Sequence, residues 1–300
     1  MVFSSTSFLL AFLPITLALY FAMPTRPLKN VLLLAVSLLF YAWGEPVYVL
    51  LMVASILANW LFAILIDQPI THARKRFLLV VNLVVNLSIL GFFKYESFLA
   101  TNINNLLGFQ VIPDLQLPLP IGISFFTLQA VSYVIDVYRE EVPAQKNPLY
   151  LGMYISMFPQ LIAGPIVRYQ TIQDQVLNRQ ENLKDFSAGL RLFIVGLAKK
   201  VLLANTVAIL ATKMLEMGGE NIGAVGAWAG LAAYTFQIFF DFSGYSDMAI
   251  GLGKMFGFKY LRNFNYPYIS KSATEFWRRW HISLSTFFRD YVYIPLGDQL

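Results

Sequence analysis

The sequence predicts an all-α polytopic membrane protein whose spans are interspersed with re-entrant and interfacial helices. Three observations predict it. Of the 300 residues, 57% are hydrophobic and 13% charged, about half the charged fraction of an ordinary soluble domain. The mean hydropathy is +0.60, which implies more apolar surface than a soluble fold of this length buries. The apolar residues also gather into long runs separated by basic or proline-marked stretches, as successive bilayer crossings do. The net charge of +5 does not indicate nucleic acid, because the cations flank apolar runs, where lipid headgroups would meet them. No cysteine is present, which excludes disulfides, zinc–thiolate centres and a cysteine acyl-enzyme. One integral-membrane domain over residues 1–300 is expected.

Residues 8–23 are the first apolar run. No basic residue precedes Arg26, so this run lacks the charged start of a cleavable signal and reads as a retained span. Pro24, Arg26, Pro27 and Lys29 predict a short basic loop. Residues 31–43 form a second run, short for a full crossing, which turns at Gly44, Glu45 and Pro46, and residues 47–66 return. Residues 67–76 read as a loop ending in Arg74, Lys75 and Arg76. His72 lies in it as a solvated residue with no second ligand nearby. Residues 77–93 are a further span, with Asn82 and Asn86 on one face. Counting lysine and arginine, the loops at 24–30 and 74–76 belong on the cytoplasmic side and the N-terminus outside.

Residues 96–120 predict an external loop or surface helix. Residues 121–138 are apolar but carry Ser124, Thr127, Gln129, Ser132 and Asp136. Pro159, Gly164 and Pro165 break residues 149–167, which predicts a re-entrant segment, tolerable only where protein walls it. Residues 168–185 are charged and expected to be cytoplasmic. Residues 190–210 carry Lys199 and Lys200 near their centre, so this segment is expected to lie shallow or to line a wet cavity. Residues 222–240 are a cleaner span, followed by the acidic, hydroxyl-rich stretch 241–247. Gly253 and Gly257 make a small-xxx-small pair, expected to serve helix packing.

Residues 270–296 concentrate arginine and aromatic side chains around His281. Ser272 and Glu275 fit a capping box that starts a helix, and Pro295 is placed to stop it. At about 100° per residue, Phe276, Trp277, Trp280, Leu284, Phe287, Phe288 and Tyr291 share one arc. Arg278, Arg279 and Arg289 lie opposite, with His281 on the seam beside Phe288 and Trp277. That pattern predicts one helix in the membrane interface, aromatic face down and arginine face up.

Polar islands inside apolar segments are functional by default. There are three, at 124–136, 241–247 and 278–290, and their convergence would build a polar pocket open to the cytoplasmic face. His281 is the proton acceptor suited to neutral pH there; a hydrogen-bonded interfacial role is the even alternative. Asp241, Ser243, Tyr245 and Asp247 read as a structural polar island, the two aspartates pairing with the arginines. The sequence has no G-x-S-x-G, H-E-x-x-H, P-loop or G-x-G-x-x-G motif, and its two histidines lie too far apart to suggest a metal site.

Residues 239–251 (F-F-D-F-S-G-Y-S-D-M-A-I-G), 263–268 (N-F-N-Y-P-Y), 275–285 (E-F-W-R-R-W-H-I-S-L-S), 289–291 (R-D-Y) and 293–297 (Y-I-P-L-G) resemble the membrane-bound O-acyltransferase family. Residues 1–5, 40–43, 120–126 and 158–166 resemble its alginate-acetylating branch, so the resemblance runs over the whole chain. It implies a multi-pass enzyme of the bacterial inner membrane. Such an enzyme moves an acetyl or other acyl group from a cytoplasmic thioester, acetyl-CoA or a carrier-protein thioester, through a funnel to hydroxyls of an exported polysaccharide such as alginate. The thioester is a co-substrate, and no bound cofactor is implied. The implied partners are membrane lipids, an acyl carrier protein, and the polysaccharide acceptor or a periplasmic or extracellular acetyl-transfer partner.

His281 matches the first of the family's two signature polar positions and is expected to be catalytic. Transfer to an alcohol needs a base, oxyanion donors and cations for a phosphate-bearing carrier. The last need falls to Arg278, Arg279 and Arg289, with Trp280 and Ser283 beside them at the donor; headgroup contacts are the alternative for the arginines. The second signature position, a histidine in a Trp-His-Gly context taken as the base, has no counterpart in these residues. Gly297, Asp298, Gln299 and Leu300 also depart from the expected continuation. The chain is therefore expected to be the N-terminal and central part of a family member, a fragment or a truncated product, inactive alone. A polysaccharide or lipid transporter, which would share the broken helices, and a non-catalytic scaffold of a polymer-modification complex stay open.

Overall fold

The computed structural model describes residues 2–113, 115–217 and 219–297. Asp298, Gln299 and Leu300, three of the four residues expected to depart from the family's continuation, lie outside them. Among the described residues every regular element is helical: α1 (Phe8–Ala22), α2 (Arg26–Gly44), α3 (Tyr48–Ile66), α4 (His72–Leu107), α5 (Ile123–Tyr138), α6 (Pro148–Ser156), α7 (Phe158–Leu161), α8 (Tyr169–Asn178), α9 (Leu183–Glu216), α10 (Gly219–Met255), α11 (Ala273–Arg279), α12 (Ile282–Phe288) and α13 (Ile294–Gly297). Five of them, α2, α3, α4, α9 and α10, are long and apolar enough to cross a membrane, so the protein is a multi-pass membrane protein.

Several boundaries differ from the sequence expectation because a helix absorbs a predicted loop. Arg26, Pro27 and Lys29 form the first turn of α2, which reaches 19 residues and is not too short to cross; Pro27 suits that turn because its missing N–H would be unpaired there anyway. Helix α4 takes in Arg74–Arg76 at one end and runs on through residues 96–107 at the other. It stops at Gly108, whose φ of +75° closes the last turn.

The chain divides into two compact units. One comprises Thr25–Ile162 and Arg168–Gln170. Here α3 and α4 are joined by a buried asparagine cluster: Asn59 Oδ1 accepts from Asn82 Nδ2 at 2.9 Å and Asn86 Nδ2 at 3.1 Å, and Asn59 Nδ2 donates back to Asn86 Oδ1 at 3.1 Å. Amide ladders of this kind hold helices together where apolar side chains gain nothing over lipid. The island at 124–136 sits on α5, with Thr127, Gln129, Ser132 and Asp136 buried. Residues 149–167 are broken as expected, into α6, a kink at Met157 and α7, and both helices are walled by protein.

The other unit comprises Met1–Pro24, Ala163–Val167 and Thr171–Leu300. Its frame is the α9–α10 pair. A Cβ on Gly189 would come within 2.6 Å of the Gly251 carbonyl oxygen, and one on Gly251 within 2.6 Å of the Gly189 oxygen; Gly196 and Gly244 repeat this at 2.5 and 2.7 Å. Two glycine pairs thus bring the backbones into contact. The pair singled out in the sequence works differently. Gly253 makes room for the Tyr260 ring, and Gly257, at φ +85°, follows the end of α10. The helix packing falls to glycines with partners on another helix, which spacing along one chain does not reveal.

Candidate functional site

The stretch 241–247 is helical, part of α10, and its charges are neutralised from α9. Lys199 Nζ lies 2.6 Å from Asp247 Oδ2, and Lys200 pairs with Asp241. The expectation that these aspartates pair with arginines is therefore overturned: lysines occupy them. The pairing also accounts for the lysines inside an apolar segment, since each brings its own counter-charge. Both lysines lie in a π-helical stretch, Lys199–Ala204, inside α9, a distortion that often marks functional sites. The Ser243 hydroxyl is buried and has no hydrogen-bond partner among the described residues. Tyr245 stacks on Phe3, their ring centroids 4.6 Å apart.

The segment predicted as one interfacial helix begins as expected. Ser272 Oγ accepts from the Glu275 N–H at 3.1 Å, and Glu275 accepts from the Lys271 N–H at 2.9 Å. The Lys271 N–H and the Arg279 guanidinium hold the Glu275 carboxyl below the usual carboxylate range. The helix then breaks. Trp280 is extended (φ −100°, ψ 130°) and His281 left-handed (φ 42°, ψ 54°), so the single arc does not form. Phe287 and Tyr291 are buried, but Trp277 is 56% and Phe288 49% exposed. Pro295 does not end the helical run, which continues as a π-turn at Arg289–Tyr293 and then α13.

Asn263 explains the break. Its carbonyl accepts from the Ile282 N–H at 2.9 Å, and its side-chain Oδ1 accepts from the Ser283 N–H at 3.1 Å. It caps α12 from another part of the chain, satisfying N–H groups that a new helix leaves open. The neighbouring Asn265 N–H donates to the Arg279 carbonyl at 2.9 Å, so the end of α11 is pinned by the same segment.

The same oxygen organises His281. The Ser283 N–H is a donor, so the Asn263 atom facing it must be Oδ1. That oxygen lies 3.2 Å from His281 Nδ1, so Nδ1 carries the ring hydrogen and Nε2 the lone pair. Ser283 Oγ donates to the same Oδ1 at 2.9 Å and accepts from the Ile166 N–H at 3.0 Å. Aromatic rings enclose the imidazole: Phe242 is edge-on at 4.7 Å and Phe264 lies at 6.5 Å. His281 is 7% exposed, and burial lowers its pKa to about 4, because an imidazolium in an apolar cage is penalised. It is buried beside 241–247, not seated on an exposed seam. The Asn263 amide nitrogen is buried without a partner among the described residues.

The other expected donor residues are dispersed. Arg279 bridges Glu275 at 2.8 Å and donates to the Asn265 carbonyl at 3.2 Å. Arg289 pairs with Asp290 at 2.6 Å, and Arg278 is exposed. Trp280 stacks on Phe276, ring centroids 5.6 Å apart. The islands at 241–247 and 278–290 meet through the Phe242–His281 contact, while 124–136 belongs to the other unit. Sequence reasoning gave Asn263 no role; its position within N-F-N-Y-P-Y was the available signal. Among the described residues no three metal-ligating side chains come together.

A family model described as the membrane-bound O-acyltransferase family matches residues 73–300. The chain is 45% identical over 302 residues to the probable alginate O-acetylase of Pseudomonas aeruginosa, covering 99% of this chain and 57% of that protein. It is 39% identical over 328 residues to the peptidoglycan O-acetyltransferase of Helicobacter pylori, covering 99% and 62%. It is 31% identical over 178 residues to the teichoic acid D-alanyltransferase of Bacillus subtilis, covering 58% and 45%. The chain thus spans about three fifths of the length of the two acetyltransferases.

Proposed function

Since the chain belongs to the membrane-bound O-acyltransferase family, we propose that it forms part of an enzyme of the bacterial inner membrane that acylates hydroxyls of an exported or cell-surface polysaccharide. The acyl group comes from a cytoplasmic thioester, either acetyl-CoA or a carrier-protein thioester. The names of the relatives support the acceptor class: alginate, peptidoglycan and teichoic acid are all hydroxyl-bearing polymers. Acetyl is the group named in the two relatives matched over 99% of this chain, and alginate is the acceptor favoured by the higher identity.

The observation that carries this reading is His281: neutral, buried, and held by Asn263 in the tautomer with its lone pair on Nε2. We assign it as the polar group that meets the reacting thioester. With a pKa of about 4, it is a far weaker base than an ordinary imidazole. Hydrogen bonding toward the reacting groups suits it better than proton abstraction alone. The base of the transfer is then a second group. Of the three arginines assigned to a carrier's charge, Arg278 and Arg289 are exposed, and Arg289 is paired with Asp290.

Membranes carrying the protein, given a radiolabelled acyl thioester and acceptor polymer, test the reading. Label in the polymer is expected. Unmodified polymer crossing the bilayer, with none labelled, would make the protein a transporter. Neither event in the complete assembly would leave a scaffold.

A further inference from the structure

A cavity of about 540 Å³ lies between α9, α10 and the return segment after α10. One stripe of α10 faces it: Ser243, Asp247 and Lys254, spaced by four and seven residues, so on one side of the helix. Lys199 of α9 and Arg262 of the return segment complete its charged lining. Three cations therefore face one carboxylate. Lys199 is committed to Asp247 at 2.6 Å. Lys254 has no carboxylate partner among the described residues. Arg262 makes one 3.3 Å hydrogen bond to Asn265 Oδ1 and lies 5.6 Å from the Tyr266 ring centroid, which leaves most of its donors open.

The packing that places Arg262 there is specific. The Tyr260 ring occupies the space where a Cβ on Gly253 would stand, at 2.4 Å, and so holds the return segment against the last turn of α10. The carbonyl end of α10 accounts for a lysine at 254. It does not account for Arg262 lining the same cavity, nor for the Ser243 hydroxyl, buried there without a partner among the described residues. Leu261, Tyr266 and Ile269 are 64, 65 and 66% exposed around Arg262. Apolar and tyrosine side chains flanking an arginine just beyond a span are the composition of a headgroup-level segment.

We propose that this cavity binds a phosphate ester anion, with Lys254 and Arg262 holding the phosphate. The Ser243 hydroxyl, about 16 Å further along α10, donates to a polar group on the body of the same ligand. As a lipid headgroup the ligand is independent of the acyl-transfer reading; as a soluble nucleotide it is the nucleotide end of the CoA donor, and that arm rests on that reading. A lipid headgroup and a soluble nucleotide both present this chemistry, and the test separates them.

The full-length protein in phosphatidylcholine nanodiscs is labelled with an amine-reactive reagent, and modification of Lys254 is read by peptide mass spectrometry. One arm adds phosphatidylglycerol to the bilayer; the other adds adenosine 3′,5′-bisphosphate in solution. One of the probes is expected to slow Lys254 labelling several-fold. Lys254→Gln with Arg262→Gln should weaken binding of that probe by about tenfold, as the loss of charge-assisted contacts implies. Lys184→Gln with Lys213→Gln, both exposed and outside the cavity lining, should leave it unchanged. Protection by phosphatidylglycerol identifies a lipid headgroup, and protection by the bisphosphate a soluble ester. Protection by neither probe overturns the proposal, as does equal binding by the first double variant. Should that variant fail to fold, the protection measured on the unmodified protein decides.

Discussion

Two buried polar clusters centred on asparagine differ in what they hold. In one unit Asn59, Asn82 and Asn86 bind one another across two apolar helices, α3 and α4. Each partner is an amide, none titrates near neutral pH, and the helices run through the cluster unbroken. In the other unit Asn263 binds the start of a helix and an imidazole with a single oxygen. Here the backbone is broken, one residue is left-handed, and a group able to bind a proton is kept neutral in an aromatic cage. Burial and hydrogen bonding are common to both. The proposal that the second is the functional site rests on what only it has: backbone strain localised at a titratable ring whose tautomer is fixed.

The largest expected effect tests that assignment directly. In the full-length enzyme, His281→Ala should lower polymer acetylation at least roughly tenfold, the low end for a positioned polar group, at normal membrane abundance. His281→Gln should recover part of the loss if hydrogen bonding is the role. Unchanged acetylation in His281→Ala would reduce the second cluster to the status of the first. Asn263→Ala comes next. It removes the cap of α12 and the acceptor that fixes the ring, so acetylation should fall about fivefold and stability by about 1–2 kcal/mol, a typical cap loss. Thermal unfolding in detergent and acetylation per folded molecule separate the two consequences. Asn59→Leu should do only one thing: lower stability by about 1 kcal/mol, the scale of hydrogen bonds between membrane helices, with acetylation per folded molecule unchanged. A loss of specific activity there would erase the distinction between the clusters.

What the sequence conveyed follows from where each signal resides. The spans in α3, α4 and α10 were legible because length and hydropathy are local properties; residues 8–23, read as a span, form the shorter α1, while α2 and α9, read as short and shallow, are long enough to cross. The Ser272–Glu275 start of α11, the break at Pro159 and the shared face of Asn82 and Asn86 were legible because the causes lie within a few residues. The break at Trp280–His281 was not. Its cause is Asn263, on the far side of α11, and the helical wheel drawn through residues 276–291 assumed that no distant group would take over the N–H groups of Ile282 and Ser283. The ion-pair partners of Asp241 and Asp247 were misread for the same reason. Lysines on a neighbouring helix outcompeted arginines nearer in sequence, and two of those arginines found carboxylates on their own helical turns.

The smallest effect is the dependence of stability on pH, and it bears on the same contrast, because only the second cluster titrates. Burial lowers the His281 pKa from 6.5 to about 4. Between those values the unfolded chain binds a proton at this position and the folded protein does not. Stability therefore falls as pH drops below about 6.5, and the loss is complete only below about 4. From pH 7 to pH 6 this single group should cost roughly 0.7 kcal/mol. The measurement is the unfolding midpoint at the two pH values, wild type against His281→Gln. The variant should lose less stability on acidification, the difference belonging to the imidazole, while Asn59→Leu should show the wild-type dependence. Equal dependence in His281→Gln and wild type would mean that the ring gains a proton as readily in the folded protein as in water. The aromatic cage of Phe242 and Phe264 would then not keep it neutral, and the chemical difference between the two asparagine clusters would vanish.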